Sequence, residues 1–91
     1  MATLIRSIGT QEAVQPANGV DFTLEELQGY VGGWIEVVYL ADGRIMVIHE
    51  EGKFEELPVN EPATRLFMQG RVPTLDVIVG DVVVCASDEL R

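Results

Sequence analysis

The stretch from Thr23 to Lys53, TLEELQGYVGGWIEVVYLADGRIMVIHEEGK, decides the fold of this chain, because it encodes a helix and a two-stranded hairpin in succession. Thr23 followed three positions later by Glu26 is a capping box, in which both side chains satisfy backbone N–H groups at a helix start. Phe22 and Leu27 can add the hydrophobic staple that sets the angle of entry. We therefore predict a helix that begins directly after Thr23.

This predicted helix is short and has one apolar face. Leu24, Leu27 and Val31 recur at helical spacing, and Gly32 offers the left-handed residue that commonly ends a helix. Fewer than about ten residues cannot hold a helix alone in water. The apolar face must therefore pack on a sheet.

The helix stop is followed by two runs rich in β-forming residues, WIEVVYL and RIMVIH, with an Asp-Gly pair at 42–43 between them. Asp-Gly favours a two-residue hairpin turn of type I′. Counting outward from such a turn places Leu40 opposite Ile45 and Glu36 opposite His49. The predicted hairpin thus brings the single histidine next to a carboxylate.

The same register predicts that both faces of the hairpin are apolar. One face would carry Ile35, Val37, Tyr39, Met46 and Ile48. The other would carry Val38, Leu40, Ile45 and Val47 at its centre. The helix can cover only one of them, so we predict that the second set meets further core strands or forms a subunit interface.

The remaining elements follow from caps and turn residues. Runs at 3–8 and 11–15, separated by Gly-Thr, predict an N-terminal hairpin. Asn60 is a favoured N-cap, and Gly70 stands just beyond the end of a second helix predicted over 61–68. The apolar face of that helix would consist of Ala63, Leu66 and Phe67.

The last part of the chain predicts a loop over 69–75 and a central strand over 82–86. Gly80-Asp81 is either a bulge or a tight turn into that strand, and we favour the turn. Residues 87–91 read as a frayed tail. The sequence therefore predicts one α+β domain over 1–91, ordered over about 2–86, with the order ββαββαβ, a mostly antiparallel sheet and two short helices.

Composition restricts the partners. Fifteen carboxylates against six Lys and Arg give a net charge of −9, which opposes direct nucleic-acid binding. The longest apolar run is far shorter than the ~18 residues of a membrane span. Cys85 stands alone in an apolar run, which is typical of a buried thiol in a reducing cytoplasm. A small core combined with 47% apolar residues favours a homo-oligomer, most simply a dimer.

Candidate chemistry is sparse. The predicted Glu36–His49 pair could act as a general base, but no nucleophile accompanies it. The glutamates at 50, 51, 55, 56 and 61 match no calcium-loop spacing and are more typical of a solvated acidic face or of a surface for a basic partner. We expect no enzymatic activity, no catalytic residue, no metal and no cofactor.

A second group of candidate binding residues lies at the start of the second predicted helix. Free N–H groups at a helix start can hold an anion, and an arginine can reinforce them. Asn60, Thr64 and Arg65 occupy these positions. They are either a cap with a surface arginine or part of a site for a nucleotide-like ligand.

The order of several short motifs also resembles a known family. These are the Val-Gly-Gly helix stop at 31–33, the turn at 50–53, the stretch at 57–64 and Val-Gly-Asp at 79–81. Together they resemble a small domain family of unknown function, number thirty-eight forty-six, found in bacteriophages and in bacterial genomes on prophage-like DNA. The resemblance extends to Ala86, implies an accessory protein and brings no established catalytic residues.

The function expected from the sequence is protein binding, by an acidic phage or prophage accessory protein that engages a basic host protein in the host cytoplasm. The alternative is a protein that binds or sequesters a small nucleotide-like ligand through the region from Asn60 to Arg65.

Overall fold

The computed structural model describes residues 2–70 and 76–90. Within these residues, five antiparallel strands form one sheet in the order β2-β1-β5-β4-β3, with two helices packed on it, which confirms the α+β class and the order ββαββαβ. Of the loop predicted over 69–75, residues 71–75 lie outside the described residues. The elements are β1 Ala2–Ile5, β2 Gln11–Val14, α1 Leu24–Val31, β3 Ile35–Tyr39, β4 Ile45–His49, α2 Glu61–Met68 and β5 Val82–Cys85.

Helix α1 has the ends that the sequence predicts. The Thr23 hydroxyl accepts a hydrogen bond from the Glu26 backbone N–H, and the Glu26 carboxylate accepts one from the Thr23 backbone N–H, so the capping box is complete. At the other end Gly32 adopts the left-handed conformation, with φ 89°, and its N–H donates to the Gln28 carbonyl. Both ends depend on residues within four positions of each other, which is why the sequence predicts them correctly.

The β3–β4 turn differs from the predicted type I′ turn. The Gly43 N–H donates to the Leu40 carbonyl, and the Leu40 N–H donates to the Arg44 carbonyl, so three residues separate the paired positions. Gly43 takes φ 92°, as the third residue of such a loop requires. The extra residue shifts the register by one position, so Glu36 lies opposite Ile48 and the predicted Glu36–His49 pairing is wrong.

The same shift exchanges the faces of β4. Ile45 and Val47 lie buried under α1, whereas Val38 and Leu40 lie on the opposite face under α2. The four residues thus lie on two different faces of the sheet, and three of them are buried inside the domain. The interface predicted from them is therefore wrong.

Each face of the sheet has its own helix and its own core. The core under α1 includes Leu4, Phe22, Leu27, Val31, Val47 and Val83. The core under α2 includes Ile5, Met46, Ala63, Ile78, Val82 and Val84, with Leu66 and Phe67 packed against it. The predicted apolar face of α2 is thereby confirmed.

Strand β5 occupies the centre of the sheet between β1 and β4, as predicted. Gly80, with φ 75°, turns the chain into it. Residues 87–90 are not a frayed tail: Ser87–Glu89 form a 3-10 turn, and Leu90 packs on the α1 core beside Phe22. Residue 91 of the predicted tail lies outside the described residues. Among the described residues, no helix has the length and apolar character needed to cross a membrane.

Candidate protein-binding site

The segment from Glu50 to Glu56, here called the acidic loop, follows β4 and folds into successive turns. Its backbone is closed by hydrogen bonds from the Glu55 N–H to the Glu51 carbonyl and from the Glu56 N–H to the Lys53 carbonyl, at 3.0 and 3.2 Å. Glu56 takes a positive φ of 54°, which is uncommon for a residue other than glycine. The loop is therefore a built structure and not an open connection.

Gly52 joins the acidic loop to the body of the domain. It is buried, its carbonyl accepts the Leu57 N–H at 3.0 Å, and a Cβ added there would lie 2.9 Å from Val79 Cγ2. Only a residue without a side chain permits this approach. The contact anchors the middle of the loop.

Phe54 lies at the tip of the acidic loop with 88% of its surface exposed. Glutamates at 50, 51, 55 and 56 flank it along the chain, and all four are exposed. An aromatic ring held in water by an ordered loop gains nothing for folding. Aromatic residues are the ones most enriched as anchors of protein interfaces.

A groove of about 220 Å³ lies beside Phe54. Apolar residues that it shares with the α2 core include Val38, Ile48, Phe67 and Ile78. The polar residues among those that line it include Glu36, Glu50, Asp76 and Lys53. The Lys53 ammonium pairs with the Asp76 carboxylate, and this hydrogen bond holds the pKa of Asp76 below its ordinary value.

His49 supports the acidic loop from below. Its side chain is buried, its Nδ1 accepts the Glu51 N–H at 3.0 Å, and its Nε2 lies 3.4 Å from a Glu55 carboxylate oxygen. A Cβ on Gly33 would meet Nε2 at 2.5 Å, so the ring lies directly on that glycine. Glu36 is on the opposite face of the hairpin, and the predicted acid–base pair does not form.

The residues of the second predicted site are committed to the fold. The buried Asn60 side chain accepts the Ala63 N–H and donates to the Ile5 and Gly80 carbonyls, at 3.1, 2.9 and 2.8 Å. Thr64 donates its hydroxyl to the Asn60 carbonyl. These contacts occupy the polar side-chain groups of both residues.

Arg65 does not complete an anion site. It lies exposed on α2, with its guanidinium 4.0 Å from Glu61 one turn earlier. Among the described residues, no group of three or more His, Cys, Asp and Glu is placed to hold a metal ion.

The family comparison agrees with this arrangement of motifs. A family model described as a domain of unknown function, DUF3846, matches residues 4–90. The chain belongs to the DUF3846 family. The match begins inside β1 and continues through the 3-10 turn, which confirms the resemblance. Neither the curated proteins nor the solved structures include a significant match.

Phe54 is not among the functional residues predicted from the sequence. The signal for it was a lone aromatic residue within a run of glutamates, far from any apolar periodicity. The DUF3846 description assigns no function to any of its residues.

Proposed function

We propose that this chain is a non-enzymatic protein-binding module, in which Phe54 and the adjoining groove receive a basic segment of a partner protein. The observation that carries the proposal is the 88% exposure of Phe54 on a loop whose backbone is hydrogen-bonded into a fixed shape. The family resemblance supports an accessory role in phages or prophages, with a host protein as the partner.

Charge complementarity selects the chemistry of the partner. Four glutamates and one lysine make up the charged residues of the acidic loop, and that lysine is neutralised by Asp76. An arginine or lysine of the partner can lay its aliphatic stem on the apolar side of the groove and leave its charge among the carboxylates. A basic segment with interspersed apolar residues therefore fits this surface.

The size of the groove favours a side chain over a small molecule. Ligand pockets generally enclose about 300–1,000 Å³ and bury most of their ligand. The groove has about 220 Å³ and lies at the surface. This supports protein binding over the alternative of a nucleotide-like ligand, for which Asn60 and Thr64 have no free groups.

The test measures the affinity for a fluorescent peptide of alternating Arg and Leu by anisotropy. We expect binding to weaken as NaCl rises from about 50 to 300 mM, because exposed charge pairs are screened. Phe54→Ser should weaken binding about ten- to a hundredfold, since a buried aromatic ring contributes about 1.5–3 kcal/mol. The double variant Glu50→Gln with Glu56→Gln should weaken it about two- to tenfold.

The matched control removes two charges elsewhere. Glu12 lies exposed on β2 at the other edge of the sheet, and Glu25 lies exposed at the opposite end of α1 from Gly33. The double variant Glu12→Gln with Glu25→Gln has the same net charge as the loop double variant and should bind like the wild type. Equal losses in both double variants, or binding indifferent to salt, would show that the acidic loop is not the site.

A further inference from the structure

A shallow hollow of about 560 Å³, here called the Trp34 hollow, lies where α1 ends and β3 begins. The residues that line it are Gln28, Gly29, Gly32, Gly33 and Trp34. None of the five is charged, and three of them are glycines. The hollow is therefore open to solvent, and its one large side chain is the indole of Trp34.

Gly29 keeps the hollow open. It lies inside α1, where a glycine lowers helix stability relative to an alanine. Its backbone does not take a positive φ, and a Cβ added there would meet no atom within 4 Å. Nothing in the described fold therefore requires a glycine at this position, whereas a larger side chain would occupy the hollow.

Trp34 offers an aromatic surface to a ligand. It is 63% exposed, and the ring pair found among the described residues joins Phe22 to Tyr30 and does not include Trp34. The indole is the side chain that binds cations best over its ring face, and tryptophan is enriched among the residues that dominate protein interfaces. The exposed ring thus suits a cationic group.

The charge around the hollow also favours a cation. The last turn of α1 contains no basic residue, so no side chain offsets the partial negative charge of this helix end. His49 Nε2 lies 3.4 Å from a Glu55 carboxylate oxygen and 2.5 Å from the position that a Cβ on Gly33 would take. The Glu55 carboxylate therefore lies beside Gly33, at the edge of the hollow.

The Trp34 hollow adjoins the acidic loop. The N–H of Glu50, the first residue of that loop, donates to the Trp34 carbonyl at 2.8 Å. The two surfaces thus share a border, and one extended segment of a partner can contact both.

We propose that the Trp34 hollow is a second subsite for the basic partner segment and binds a lysine or arginine side chain of that segment. The cation lies over the indole of Trp34, next to the Glu55 carboxylate and the end of α1. This inference rests on the proposed function, because it states where a second basic residue of the same partner binds.

Intrinsic fluorescence tests the subsite directly. Trp34 is the single tryptophan of the chain, so the emission of the full-length protein reports on this hollow. The unlabelled peptide of alternating Arg and Leu contains no tryptophan, and at saturation it should protect Trp34 from quenching by acrylamide. Unchanged quenching at a peptide concentration that saturates the anisotropy signal overturns the proposal.

Substitution of the indole tests its contribution to affinity. Trp34→Leu should weaken peptide binding about two- to fivefold, because a cation–π contact at an exposed site contributes that much. Trp34→Phe keeps a ring face and should bind more tightly than Trp34→Leu. The control is Ile8→Ser, which removes another exposed apolar side chain from the turn between β1 and β2 and should bind like the wild type. Equal losses in Trp34→Leu and Ile8→Ser overturn the proposal.

Filling the hollow provides a second test. Gly29→Leu should weaken peptide binding and should also raise the thermal unfolding midpoint, since leucine is the better helix former. The gain in stability shows that the fold is intact. Gly29→Ala is the control for helix propensity, because it also raises the midpoint but leaves most of the hollow empty and should bind close to the wild type. Binding by Gly29→Leu equal to that of the wild type contradicts the subsite.

A double-mutant cycle tests whether Trp34 and Glu55 hold the same cation. Glu55→Gln removes the charge and keeps an oxygen that accepts from His49 Nε2. Combined with Trp34→Leu, it should give a loss smaller than the sum of the two single losses. Glu56→Gln makes the same charge change in the same loop, and its loss should add to that of Trp34→Leu. Additive losses in both combinations overturn the shared site.

The outcomes separate this inference from the proposed function. If Phe54→Ser weakens binding while the Trp34 and Gly29 variants bind like the wild type, the proposed function stands and the subsite is overturned. If Trp34→Leu weakens binding while Phe54→Ser does not, the basic segment binds at the hollow and the role proposed for Phe54 is overturned.

Discussion

Asn60 is the residue on which the most separate parts of the fold depend. Its amide caps α2 through its oxygen and joins the end of β1 to the turn before β5 through its nitrogen. All these groups are buried, so water cannot replace the side chain. The residue thus ties three distant segments together at one point.

Replacing Asn60 with alanine should lower the free energy of unfolding by about 3 kcal/mol or more, because the lost cap and two unsatisfied buried carbonyls add up. Thr23→Ala is the comparison, since it removes only the α1 cap and should cost about 1 kcal/mol. Urea unfolding followed by circular dichroism measures both. Equal losses would mean that the two carbonyl bonds contribute nothing.

At the scale of elements, β5 places Cys85 at the centre of the sheet. Burial raises the pKa of the Cys85 thiol to about 11, from 9.0 for a free thiol, with the nearby Glu89 carboxylate adding to the effect. Because the pKa of this thiol is higher in the folded state than in the unfolded state, the folded state keeps the proton to a higher pH. Stability from this group is complete below pH 9 and is lost as the pH rises through 11.

The expected outcome is that iodoacetamide leaves the native thiol unmodified at pH 8 and modifies it fully in urea. Between pH 9 and 11 the native chain should lose about 2 kcal/mol more stability than Cys85→Ala, which has no thiol to ionise. Mass spectrometry and urea titration measure the two effects. Rapid native modification at pH 8 would place Cys85 outside the core.

The sequence predicts an element well when the contacts that define it join residues close together in the chain. The caps at Thr23, Gly32 and Asn60 involve residues within four positions, and the sequence predicts all three. The turn at Asp42-Gly43 accepts either two or three residues with the same pair. The length of this turn decides which side chains of β4 lie on each face of the sheet. The prediction of a two-residue turn where the structure has three residues therefore gave the wrong interface and the wrong partner for His49.

The site was less predictable than the fold. The exposure of Phe54 depends on Gly52 packing against Val79, almost thirty positions away. The preferences of neighbouring residues for helix, strand or turn do not predict a contact between residues so far apart in the chain. The acidic character of 50–56 was visible in the sequence, whereas the groove arises only when α2 and the β3–β4 hairpin pack together.

For the whole molecule, charge opposes compactness. A net charge of −9 is held within extents of 37 × 28 × 21 Å. At about 10 mM salt the Debye length is about 30 Å, so carboxylates across the molecule repel each other.

The free energy of unfolding at pH 7 should therefore rise as NaCl increases from about 10 to 300 mM. The control is the same titration with Glu50→Gln and Glu56→Gln combined, which removes two of the repelling carboxylates and should show a smaller rise. A stability that falls with added salt would indicate that attractive ion pairs, such as Arg6–Glu12, outweigh the repulsion.

The central position of β5 also imposes an order of events on folding. Thr3 pairs with Val84, although 81 positions separate them, and Met46 pairs with the same valine from the other side. The two hairpins can each close locally within microseconds, but among the described strands only β5 pairs with both of them, through residues 82–85. Until then each hairpin presents an open edge, so we expect the slow step of folding to be the insertion of this four-residue strand, with the chain most exposed to aggregation just before it.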